Sequence, residues 1–142
     1  MIKNEVLVTI RGMQSDGQEE DSIETIQPGK YRHIGSTDVV SYDELLLEHE
    51  SEPTISSHNL LKIQPHLVVL SKKGPVQSEM EFCIGKPYHG FYQTPYGIFD
   101  MTIETAVLNV VQTDEEIALF IEYFLELNGT PVSKNKLEIT IR

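Results

Sequence analysis

The sequence predicts an all-β domain, a barrel or a sandwich, and three observations carry that expectation. About ten short segments rich in Val, Ile, Thr and aromatic residues recur at roughly 8–12-residue spacing. Gly, Pro, Asn and Asp cluster between them, where a chain reversal needs a preset or positive φ. Several segments alternate apolar and polar residues, the period-2 pattern of a sheet with one covered face. A length of 142 residues fits one domain with one core, and the chain shows neither an internal repeat nor a low-complexity stretch.

In chain order, Val6, Val8 and Ile10 alternate with Leu7, Thr9 and Arg11, which gives a strand covered mainly on one face. Asp16-Gly17 turns the chain, and residues 18–26 resume in a more polar register. Gln27-Pro28-Gly29 is expected to break that strand, with residues 31–34 as a short continuation, because Pro cannot donate to a ladder. Residues 39–47 admit two readings. Ser41 and Glu44 have capping-box spacing, whereas Val39, Val40 and Tyr42 favour a strand and Pro53 follows closely. Strand is preferred, with residues 48–53 as its hairpin loop and residues 55–63 as its partner, Leu61 and Ile63 sharing a face.

Residues 67–70 form the next strand, turned by Lys72-Lys73-Gly74-Pro75. In the return, Val76, Ser78, Met80, Phe82 and Ile84 share one parity, and Gln77, Glu79, Glu81 and Cys83 the other. Residues 85–100 concentrate rings and turn formers: a strand over 88–93, then Thr94-Pro95-Tyr96-Gly97, with Pro second and Gly fourth as in a type I turn. Residues 98–105 and 106–111 continue as strands.

The hardest segment is Ile117–Leu127, where every odd position is apolar. Ile117, Phe120, Ile121, Phe124 and Leu125 also satisfy a helical stripe, with Thr113 and Glu116 spaced as a capping box and Gly129 as a stop. Periodicity alone does not decide between them. Context favours strand: Asn128-Gly129 is a strong hairpin signal, and beyond it Leu137, Ile139 and Ile141 alternate with Lys136, Glu138 and Thr140 in a final strand that needs an antiparallel neighbour.

The formal charge of −11, with acids spread along the chain, repels phosphate backbones, so no nucleic-acid partner is expected. The acids read as a solubilising surface. Cys83 is the only cysteine, which excludes an internal disulfide and a thiolate-rich metal site. No apolar run approaches the roughly 18 residues of a membrane span, and the alternating N-terminus lacks the apolar region of a signal peptide. A soluble, cytoplasmic protein without membrane partners is the expectation.

His33, His49, His58, His66 and His89 are scattered without ligand spacing, so no metal is expected. Gly85-Lys86 is followed by Pro87, with Met80 where a phosphate loop needs its first glycine, and no nucleophile elbow occurs. No catalytic residue and no cofactor is assigned. Glu79 with Glu81, and Glu122 with Glu126, fall on outward parities and should be solvated. Asp100 and Glu104 have no assignable face. Either one, if aimed inward beside a histidine or tyrosine, would be the best sign of catalysis. Phe120 and Phe124 share the outward parity of Ile117–Leu127 and call for something to cover them.

Ser78-Glu79-Met80-Glu81-Phe82, Gly85, Tyr92-Gln93-Thr94-Pro95-Tyr96-Gly97, Leu60-Leu61-Lys62-Ile63 and the closing hairpin from Asn128-Gly129 to Ile141 together resemble the YwiB-like proteins, a bacterial family of uncharacterised function. The resemblance covers essentially the whole chain. It implies a single antiparallel calycin-like (lipocalin-like) β-barrel of about 8–10 strands over residues 1–142, with Ile117–Leu127 as a strand. It carries no catalytic residues.

Two functions remain on this reading. The first is a binding barrel for a small, partly apolar ligand, contacted by Leu119, Ile121, Tyr123 and Leu125, with Tyr92 and Tyr96 near a rim. The second is an interaction module without a ligand, a homodimer joined through Phe120 and Phe124 or an edge strand.

Overall fold

Ten strands follow one another in the computed structural model, which describes residues 2–46 and 54–142. They are β1 (Glu5–Ser15), β2 (Glu20–Ile34), β3 (Thr37–Leu46), β4 (Thr54–Gln64), β5 (Leu67–Lys73), β6 (Gln77–Phe82), β7 (Tyr88–Thr94), β8 (Gly97–Gln112), β9 (Ile117–Leu127) and β10 (Thr130–Ile141). The expected hairpin loop over residues 48–53, and His49 with it, lies outside the described residues. Each strand pairs antiparallel with its sequence neighbour, and β1 pairs with β10, so the sheet closes on itself. Both segments with a helical alternative are strands. Across the Asn128-Gly129 turn both residues take positive φ, 52° and 78°, the type I′ geometry that suits a twisted hairpin.

Two sequence expectations fail for identifiable reasons. Pro28-Gly29 does not break β2, which runs unbroken through both residues. Pairing with β3 begins only at Gly29↔Tyr42, so up to Pro28 the β3-facing side of the strand has no ladder for proline to interrupt. Gly29 is required by contact: a Cβ there would meet Val8 Cγ2 at 2.9 Å and the Ser41 carbonyl oxygen at 3.0 Å. The expected boundary between Thr105 and Ala106 is instead a bulge in a continuous β8, after which Leu108 and Val110 face β9 residues Ile121 and Leu119.

The turns joining β1–β2, β5–β6, β7–β8 and β9–β10 share one end of the barrel, called here the open end. The opposite, closed end holds the start of β1 and the end of β10. Along β4 the inward row reads Ser57, Asn59, Leu61, Ile63 from the open to the closed end, and along β10 it reads Ser133, Asn135, Leu137, Ile139, Ile141. Val8, Val40, Leu61, Val68, Phe82, Ile103, Ile121 and Ile139 are among the side chains that fill the closed half with an apolar core. The Phe82 and Tyr123 rings stack at a tilt, 4.9 Å between centroids, at the upper boundary of that core.

Gly29→Ala is expected to cost about 1–3 kcal/mol by forcing β2 away from Val8 and Ser41, read as a lowered denaturant midpoint at unchanged m-value.

Candidate functional site

Above the core the barrel is not filled. A cavity of about 660 Å3 opens at the open end, and its two sides differ in chemistry. Met80 and Tyr92 from β6 and β7, with Met101, Tyr123, Leu125 and Leu127 from β8 and β9, make one apolar arc. Gln14, Glu44, Ser57, Lys72 and Asn135, from β1, β3, β4, β5 and β10, make the facing polar arc. The strand order β10-β9-β8-β7-β6-β5 keeps the four apolar strands adjacent, with Ser78 on β6 the polar residue among them and Val132 on β10 an apolar one on the facing side.

The polar arc is bonded internally. Lys72 Nζ donates to Glu44 Oε1 at 3.0 Å, both side chains about a third exposed or less. Ser57 Oγ lies 3.2 Å from Glu44 Oε2 and 2.9 Å from Asn59 Oδ1, but it has one proton to give. Asn135 Nδ2 donates to Ser133 Oγ at 3.0 Å. The Tyr42 hydroxyl and Asn59 Nδ2 are buried without hydrogen-bond partners, although the Asn59 side chain is near enough to act on the Tyr42 phenol.

Ser57 Oγ thus lies between Asn59 and Glu44, with Lys72 donating to Glu44 from the other side.

A second opening lies where β2 and β3 part beyond Gly29↔Tyr42. This lateral cleft of about 680 Å3 has Val6, Gln27, Tyr42 and Asn59 among its lining, with Asp43 and His58 also contributing. Gln27 Nε2 donates to the Val8 carbonyl at 2.6 Å, which ties the β2 side of the cleft to β1.

Burial pushes the Tyr42 hydroxyl up to about 12, opposed by Asn59 and reinforced by the Glu44 charge. Burial alone takes Tyr123 to about 12, and Tyr31 reaches about 12 through burial and its hydrogen bond to Asp38. Asp38 is an inward carboxylate near the closed end, accepting from the Tyr31 hydroxyl at 2.5 Å and lying 2.8 Å from His33 Nδ1. Neither opening includes Asp38 or His33, and the trio links β2 to β3.

Of the residues expected to contact a ligand, Tyr92, Tyr123 and Leu125 line the cavity. Leu119 and Ile121 are buried in the filled core below it. Tyr96 sits in the β7–β8 turn, 95% exposed, and does not reach the cavity. Asp100 and Glu104 are exposed on the outer face of β8, so neither is the inward carboxylate sought. The inward carboxylates are Asp38, beside Tyr31 and His33, and Glu44, which alone of the two lines the cavity and which the sequence offers only as a capping-box candidate. Its signal was parity: Glu44 lies two and four residues from Tyr42 and Val40, both buried.

Phe124 is 45% exposed, and Lys134 Nζ lies 5.8 Å from its ring centroid, a cation–π contact within the chain. Of the described histidines, His58 meets Asp43 at 2.5 Å, His89 meets Thr102 at 3.1 Å, and His66 is exposed in a turn. Among the described residues no group of three His, Cys, Asp or Glu could hold a metal ion. No helix among them is long and apolar enough to cross a membrane.

A family model described as a domain of unknown function, DUF1934, matches residues 8–139. The chain belongs to that family. Among solved structures, it resembles the ywiB protein from Bacillus subtilis with a TM-score of 0.81 at 18% identity, covering 98% of this chain and 91% of the other. At that identity the likeness concerns the fold. No curated protein matches the sequence. The family description assigns no chemistry, so a functional reading has to start from the cavity.

A tyrosine held neutral in the fold contributes stability that is complete below pH of about 10, its unfolded value. With Tyr31, Tyr42 and Tyr123 at about 12 in the folded protein, stability should fall as pH rises from about 10 to about 12. Denaturant titrations across that range should show this fall, and a Tyr42→Phe, Tyr123→Phe double variant should flatten it.

Proposed function

We propose that this DUF1934 protein is a binding barrel that takes a small, partly apolar molecule into its open end and performs no reaction on it. The two-faced cavity of about 660 Å3 carries this reading. Its size falls in the range of small-molecule sites, about 300–1,000 Å3, and a few convergent polar groups face an apolar lining as such sites require. The calycin-like view of the barrel agrees with it, because in such folds the side-chain-free part of the interior holds one ligand. The reading without catalysis rests on chemistry: Glu44 is engaged with Lys72 and Ser57, and the bonded trio around Asp38 faces neither opening. The lone Cys83 supports a reducing, intracellular setting.

A homodimer through the outer face of β9 is the second reading. It draws on Phe124, whose ring stays 45% exposed even with Lys134 over it. Sedimentation at high concentration tests it: a monomer throughout would count against it, and a dimer lost in Phe124→Ser would support it.

For the binding reading, an apolar fluorescent probe should bind the wild-type protein, and Leu125→Trp should weaken it by about tenfold or more by filling the cavity. Native mass spectrometry should retain a co-purified small molecule on the wild type and not on the variant. A probe that ignores the substitution, or fails to bind at all, would remove the cavity as the site.

A further inference from the structure

The charge pattern on the polar arc narrows the class of ligand, an inference that rests on the binding reading above. Glu44 and Lys72 carry opposite charges 3.0 Å apart, partly shielded from water inside the mouth. A ligand head with a single charge would leave the partly dehydrated space with a net charge. A lone anion would also be repelled by a chain of net charge −11. A head with both an ammonium and a carboxylate adds no net charge. Its carboxylate can accept from Lys72 Nζ, which has three protons to donate, and its ammonium can donate to the Glu44 carboxylate, which has more than one lone pair per oxygen. Four charges of alternating sign then form a closed set.

We propose that the barrel mouth binds a zwitterion with an apolar body, an apolar amino acid or a short apolar peptide with free ends. The facing arc supplies the place for the body: Met80, Met101, Leu125 and Leu127 are apolar and deformable, and Tyr92 adds a ring. Gln14 and Asn135 lie on the same side as the ion pair and are suited to the peptide amide between the two ends. A purely apolar molecule would cover the polar arc without offering its groups any hydrogen bond.

The chain contains no Trp, so the emission of an indole-bearing ligand reports on the ligand alone. The probes are leucyl-tryptophan with both ends free, its N-acetyl derivative, its C-terminal amide, and the doubly blocked N-acetyl amide. The wild-type protein is expected to bind the zwitterion at least about tenfold tighter than any of the other three. Glu44→Gln and Lys72→Met should each lose about tenfold for the zwitterion. The double exchange Glu44→Lys with Lys72→Glu should recover most of it, because alternation of sign is kept. Circular dichroism establishes that each variant is folded, and the four probes on the wild-type protein decide the matter where one is not.

If the doubly blocked or a singly charged probe binds as tightly as the zwitterion, the inference is overturned while the binding barrel stands. If none of the four binds but the apolar fluorescent probe does, the outcome is the same. If neither the peptides nor that probe binds, both readings fall.

Discussion

Closure of β1 onto β10 is the constraint on which everything else in this protein depends. The seam runs from Val8↔Ile141 to Ser15↔Lys134 and is extended by reciprocal backbone hydrogen bonds between Leu7 and Arg142, at 2.8 and 3.1 Å. It joins opposite ends of the chain, so its loop-closure entropy is offset only once the intervening hairpins are in place. In return it removes the two edges that an open ten-stranded sheet would expose. It also sets the circumference, and with it whether inward rows on distant strands meet or leave a gap. Ile139 and Ile141 on β10 meet Ile10 and Val8 on β1 and help fill the closed half.

The gap at the other end follows from what the same inward rows carry there. Ser57, Asn59, Ser133 and Asn135 are too short and too polar to replace the Leu and Ile found two to four residues further along their strands. Polar groups in such a position cost free energy unless bonded. This structure bonds them to one another and to the Lys72–Glu44 pair. The bonds of Ser57 to Asn59 and Glu44, and of Lys72 to Glu44, therefore serve the open half by keeping its inward polar groups partnered. The apolar arc has no such requirement, since Met80, Met101, Leu125 and Leu127 need only be covered.

How much of this was legible from residues alone divides along a physical line. Turn chemistry and period-2 alternation are local, and they located nearly every strand, including the Ile117–Leu127 segment that a helical stripe also fits. Pro28 misled because its cost depends on whether a neighbouring strand is paired there, a tertiary fact. Asp100 and Glu104 drew attention as carboxylates of unassigned face, and their true orientation depended on register with β7 and β9. Glu44 lay in a segment where a capping box competed with a strand, and only the strand assignment gives it an inward parity. Leu119 and Tyr123 share that parity equally, yet one lies in the packed core and the other beside the cavity, because depth along the barrel axis is invisible to alternation.

By itself, then, the sequence determined the class of architecture: antiparallel strands, the Asn128-Gly129 reversal, and an all-β barrel or sandwich with an apolar inward face. These follow from steric preferences of single residues and from a two-residue period, both written locally. Tertiary structure alone decided which inward positions are filled and which are open, which carboxylates face inward, and that Glu44 on β3 stands 3.0 Å from Lys72 on β5. Such pairings join residues far apart in the chain, and their distances are fixed by barrel closure and strand register, which no local pattern encodes.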